Sequence, residues 1–178
     1  MFSVNYNSLD VVKTLIDVGA DIMMKDKYGQ TAYDLAKNET IKKILNVTAD
    51  LLKAAQKSDT TPQKIKAFIK LGANVNARNN DGMTVLMLNA INNPNSEDIK
   101  ILVAAGADLN AKTRNGSTAL MLAAEKCKTP DIMKVLIALS ADVNTSDDKG
   151  RTALMRAVSS NASLENIKAL IEAGANLN

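Results

Sequence analysis

Apolar residues along this chain fall in short helical stripes separated by polar turns. Ile132, Val135, Leu136 and Leu139 stand at i, i+3, i+4 and i+7, which is one face of an α-helix. Ile65, Phe68 and Ile69, then Ile99, Leu102 and Val103, then Ile167, Leu170 and Ile171 give shorter versions of the same stripe. A helix-start signal stands ahead of each: Thr61-Pro62, Ser96 before Glu97-Asp98, Thr129-Pro130-Asp131, and Ser163. At the third of these, Thr129 is expected to cap the helix and Pro130 to take its first position, where the missing N–H costs nothing. A second apolar helix is expected earlier in each unit. After Thr118 runs Ala119-Leu120-Met121-Leu122-Ala123-Ala124, whose two small alanines let a neighbouring helix approach closely. A polar turn, Lys112-Thr113-Arg114-Asn115-Gly116-Ser117, leads into it, with Asn-Gly supplying the positive-φ positions of a tight reversal.

These units recur at a fixed period. Gly72-Ala73-Asn74, Gly106-Ala107-Asp108, Ser140-Ala141-Asp142 and Gly174-Ala175-Asn176 are 34 residues apart, and so are Thr84-Val85-Leu86, Thr118-Ala119-Leu120 and Thr152-Ala153-Leu154. Such a period marks a stack of identical helical units, each burying its apolar face only against its neighbours. The expected fold is an all-α solenoid. Ser140 stands where its sister units have the glycine that ends a helix in the left-handed conformation, so this turn is expected to be the weakest.

The combination of turn, Gly-x-Thr-Ala-Leu, alanine-rich helix, second helix and Gly-Ala-Asp-Leu-Asn resembles the ankyrin repeat family. Gly29, Gly82, Gly116 and Gly150 match at the turn, and Thr31, Thr84, Thr118 and Thr152 match after it. The resemblance covers essentially the whole chain and implies a solenoid of helix–turn–helix units with short hairpin-like turn fingers. The family's Thr-Pro-Leu-His is replaced here by Val85/Met87, Ala119/Met121 and Ala153/Met155, and the chain has no His. Any hydrogen-bond network built on that His is therefore absent.

The period breaks once. Asp21 and Asn74, like Thr31 and Thr84, are 53 residues apart. Glu39 to Leu45 reads as a second helix, and Leu51, Ala54 and Ala55 read as the next first helix, with no turn finger between them. Residues 1–47 therefore read as a partial, C-terminal-cap-like pair of repeats. Residues 48–178 read as about four contiguous repeats, the first lacking its finger and the last ending at its second helix. Met1 aligns with Met155 inside a first helix, and Asn178 stands where another finger would begin. These ends suggest a piece of a longer array, a regulatory fragment of a larger effector or enzyme, or a cap that docks on another copy, a head-to-tail contact.

Composition narrows the chemistry. Aromatic residues are 3% of the 178, with no Trp, so the core rests on Ala, Leu, Ile, Val and Met. The methionine series Met87, Met121 and Met155 reads as a packing ladder. No apolar run approaches the ~20 residues that span a bilayer, and Met1 to Tyr6 carries no basic start typical of a signal peptide. Cys127, the only cysteine, is expected as an unreactive thiol on the exposed end of a first helix; with no intramolecular disulfide possible, a reducing, cytoplasmic setting is expected, a secreted effector being the alternative. Without His there is no Ser-His or Cys-His pair, and no phosphate-binding glycine loop is present. Glu97/Asp98 read as first-turn acids and Asp147/Asp148 as turn residues. The chain is expected to be non-catalytic and to need no metal or cofactor.

The net charge of +3 is too small to argue for nucleic acid, and stacking aromatics are nearly absent. By resemblance, ankyrin arrays bind through finger tips and the concave face of the first helices. The matching tip residues are Lys25, Lys27 and Tyr28; Arg78, Asn80, Asp81 and Met83; Lys112, Arg114 and Asn115; and Lys149 and Arg151. Their basic excess points to a protein partner with an acidic surface, Tyr28 and Met83 being apolar anchor candidates. Self-association through the chain ends is the alternative partner.

Overall fold

A computed structural model describes residues 8–17, 20–93, 95–127 and 130–177. Among the described residues run ten helices: α1 Leu9–Asp17, α2 Ala32–Leu35, α3 Glu39–Gln56, α4 Pro62–Lys70, α5 Val85–Asn92, α6 Ser96–Ala104, α7 Ala119–Lys126, α8 Asp131–Ala138, α9 Ala153–Ser159 and α10 Leu164–Glu172. Among the described residues there is no extended strand, only isolated bridges from Arg78 to Asp21 and to Thr84. The chain is an all-α solenoid.

The first helices α3, α5, α7 and α9 pack side by side, and the second helices α4, α6, α8 and α10 form a parallel row behind them. The repeat explains the core directly. Leu52, Leu86, Leu120 and Leu154 occupy one repeat position, and all four are buried. Leu102, Leu136 and Leu170 line the second row, each at 0% exposure. Burying one such leucine contributes about 1.5–3 kcal/mol relative to leaving it in water. Met87 and Met121 are buried at 1%, as a packing ladder requires, whereas Met155, on α9, is 45% exposed.

Caps fix where the helices start. Thr84, Thr118 and Thr152 accept hydrogen bonds from the N–H groups of Met87, Met121 and Met155. Thr61 and Ser163 do the same for α4 and α10, with Pro62 at the first position of α4. Two starts differ from expectation. α6 is capped by Asn95, with Ser96 already helical. α8 begins at Asp131, with Pro130 as its cap and no side-chain cap bond; Thr129 lies outside the described residues, as do Met1, Gly19 and Asn178. Ser140 keeps the left-handed conformation at φ 71°, beside Gly106 at 90° and Gly174 at 88°.

The largest departure is α3. The expected pair of helices, one over Glu39–Leu45 and one carrying Leu51, Ala54 and Ala55, is one helix of 18 residues. Asn46-Val47-Thr48-Ala49-Asp50 contains no Gly or Pro to stop it. Its buried positions, Ile41, Ile44, Leu45, Thr48, Leu51, Leu52 and Ala55, form an unbroken stripe through the expected gap. The helix also stands in for a missing finger. In the regular units the finger side chains Asn76, Asn110 and Asn144 accept hydrogen bonds from the N–H groups of Asp108, Asp142 and Asn176. At the break, the Thr48 hydroxyl accepts from Asn74 N–H at 3.0 Å.

Candidate functional site

Four fingers share one construction. Hydrogen bonds from Gly29, Gly82, Gly116 and Gly150 N–H to the carbonyls of Asp26, Asn79, Thr113 and Asp147 close four tight turns. The side chain at the turn's first position braces each one. Asp26 Oδ1 accepts from Tyr28 and Gln30 N–H, and Asn79 Oδ1 from Asp81 and Met83 N–H. Thr113 Oγ1 accepts from Ser117 N–H, and Asp147 Oδ1 from Lys149 and Arg151 N–H. The 53- and 34-residue spacings of these four residues were the available sign of their shared role. Consecutive fingers are joined by backbone bonds, Arg114 N–H to Asp81 O and Asp148 N–H to Asn115 O.

The tip residues divide by what they touch. Lys25, Lys27 and Tyr28 are exposed, with the Lys27 ammonium 4.9 Å from the centre of the Tyr28 ring. Asn80, Asp81, Lys112, Arg114, Asn115 and Lys149 are also exposed. The Arg78 guanidinium reaches across to the next finger, donating to the carbonyls of Gly82 and Lys112. Met83 is half-buried against the core. Arg151 is half-buried and pairs with Asp147 at 2.9 Å. Nine of the twelve tip residues are thus exposed; Arg78 and Met83 tie their finger to the next one or to the core, Arg151 braces its own finger through Asp147, and the exposed Lys112 and Arg114 also reach other fingers at the Ser146 carbonyl and Asp21.

Between the fingers and α7 lies a groove of about 470 Å³. Arg114, Lys126, Arg151 and Arg156 line it, against Asp81 and Glu125. Arg156, on α9, has no place in the sequence-based expectation. It is 4% exposed and stands where the sister units carry Leu88 and Leu122, so a lone charge at a core position was its signal. Its guanidinium donates to Asp147 at 2.5 Å, Ser117 Oγ at 2.6 Å and Glu125 at 3.0 Å. Burial works to raise the Asp147 carboxyl, but Arg156, the Lys149 and Arg151 N–H groups and the Arg151 side chain hold it far below the ordinary carboxylate range.

A second cleft, about 240 Å³, opens beside Arg114 and is lined by Arg78, Lys112 and Asp21. At the far end of the repeats, Asp98 is a first-turn acid of α6 as expected, and it is fully buried; its Oδ2 accepts from Asn93 at 2.7 Å and burial raises its carboxyl. Cys127 is half-buried, not exposed, with Sγ 3.1 Å from the Ala90 carbonyl, and burial raises its thiol. Among the described residues no cluster of metal-ligating side chains forms, and no helix is long and apolar enough to cross a membrane.

A family model described as ankyrin repeats (3 copies) matches residues 51–147 and 88–178. No curated protein matches the chain.

Proposed function

The chain belongs to the ankyrin repeat family, and on that premise we propose that it is a non-catalytic scaffold holding a protein partner along its finger tips and the groove beside them. Ankyrin repeats are generally protein–protein interaction modules. The observation that carries the finer reading is the groove between the fingers and α7, lined by four cationic side chains and two carboxylates. The exposed tips Lys25, Lys27, Lys112 and Lys149 extend that positive edge. An acidic partner would be drawn to it, gaining in association rate more than in affinity. Affinity capture from a lysate of the source cells tests this. The control carries Lys112→Glu, Arg114→Glu and Lys149→Glu, and spares Arg151 because Asp147 depends on it. A protein captured by the parent and lost with the variant supports the reading; capture indifferent to the three reversals counts against it.

A second reading is assembly of copies end to end. Met155, Val158 and Leu177 are 45%, 57% and 71% exposed, whereas Met121, Ala124 and Val143, one repeat earlier, are covered by the next unit. An apolar face continuous with the internal repeat interface favours another copy stacking there. Sedimentation over a wide concentration range decides it: a strict monomer at high concentration removes this reading.

A further inference from the structure

Arg114 is the wall between the groove and the smaller cleft, and it lines both. Its side chain is 61% exposed and, among the described residues, makes one ion pair, to Asp21 at 3.6 Å. Asp21 comes from the first finger, on the far side of the break in the period. Its backbone bridges to Arg78, and its side chain is 8% exposed. Oδ1 accepts from Met23 N–H at 2.9 Å, while Oδ2 is buried and has no hydrogen-bond partner. A buried carboxylate oxygen with only a long ion pair is poorly satisfied. The cations around it have no carboxylate in direct contact either, although Lys112 also acts on Asp142 from a distance. Arg78 donates to two carbonyls and Lys112 to the Ser146 carbonyl at 3.2 Å, and among the described residues neither pairs with a carboxylate.

The cleft therefore holds three cations and a single loosely bound carboxylate supplied by the chain itself. We propose that Arg114 is the anchor for a carboxylate of an acidic protein segment lying in the groove, and that Asp21 occupies this guanidinium until the segment arrives. This rests on the scaffold reading above and names the chemistry of its central contact. A partner carboxylate entering from the groove meets an exposed guanidinium that gives up a 3.6 Å contact for a full hydrogen-bonded pair. Asp21 thus competes with the partner, and the first finger sets how readily the row of tips accepts acidic chains.

The test is fluorescence anisotropy with a labelled oligo-glutamate peptide, with oligo-glutamine, single-stranded oligothymidylate and inorganic phosphate as competitors. Arg114→Gln is expected to weaken oligo-glutamate binding about tenfold, and Asp21→Asn to strengthen it about threefold, while Lys168→Gln on α10 changes nothing. Should Asp21→Asn fail to fold, amide shifts of the parent report the same event. Added oligo-glutamate must move the Met23 N–H, which bonds to Asp21. No binding of oligo-glutamate, unchanged or weaker binding by Asp21→Asn, or an unmoved Met23 amide overturns the proposal. So does equal or tighter binding of oligothymidylate or phosphate, which would make the cleft a general polyanion site. Partner capture that depends on Lys112 and Lys149 but not on Arg114 or Asp21 overturns this inference and leaves the scaffold reading standing.

Discussion

Arg156 donates to Asp147 at 2.5 Å inside the last finger-to-helix contact, with the side chains 4% and 1% exposed. Arg151 joins from the finger at 2.9 Å, and Glu125 holds the other end of Arg156 at 3.0 Å. The two units before it manage the same junction without charge, using Asn79 or Thr113 in the turn and Leu88 or Leu122 on the helix.

That comparison gives the first prediction. Asp147→Asn alone leaves a buried guanidinium short of its main partner and should cost about 3 kcal/mol in urea unfolding. Asp147→Asn with Arg156→Leu copies the residues of the Asn79 unit and should lie within about 1 kcal/mol of the parent. The folded-state carboxyl is held below its unfolded value of about 3.9. Its contribution is therefore present above that pH and is lost as pH falls below it. The parent should lose stability below pH ~4 more steeply than the double variant. Equal acid sensitivity would show that the ion pair contributes nothing.

Ser140 holds φ at 71° without the freedom of glycine. Ser140→Gly relieves that strain but adds entropy to the unfolded chain, leaving a net gain of about 0.5–1 kcal/mol, or a rise in Tm of about 2 °C. Calorimetry that finds no rise rejects the idea that this turn is strained.

Finger glycines should differ in what they tolerate. A Cβ at Gly116 would meet Asp148 N at 2.8 Å, while at Gly150 nothing lies within 4 Å, although both have positive φ. Gly150→Ala should cost about 1 kcal/mol for the backbone conformation alone. Gly116→Ala should cost at least twice that, because two backbones must part. Similar unfolding midpoints for the two variants would mean that the fingers are not tightly apposed.

Asp98 is buried with Oδ1 unpartnered; Asn166 holds the same place two repeats later, its Oδ1 likewise without a hydrogen bond but its side chain uncharged. Because burial raises its folded-state carboxyl, ionisation of Asp98 opposes folding: the cost is absent below the unfolded value and grows as pH rises through the folded one. Asp98→Asn should therefore stabilise at pH 7 by about 1 kcal/mol, and the gain should shrink towards pH 4. Urea midpoints measured at both values check it; a loss at pH 7 would show the charge to be satisfied.

Much of this was legible in the residues. The 34-residue ladder carries the repeat, the caps at Thr84, Thr118 and Thr152, and the left-handed turn at Ser140, because each depends on side chains within a few positions of one another. The expected gap within α3 was misplaced for a local reason: a missing finger suggests a boundary, yet nothing between Leu45 and Leu51 breaks a helix. Thr48 could not be read as a finger's substitute from its neighbours, since its partner Asn74 lies 26 residues on. Arg156 was visible as a charge among leucines, but its three acceptors come from a turn, a finger and another helix. Periodicity fixes what each unit is, since a unit's shape follows from short-range sterics and hydrogen bonds. Only the stacked fold decides which charges meet across units, because Asp21 reaches Arg114 through the break in the period, over a sequence distance at which local preference carries no information.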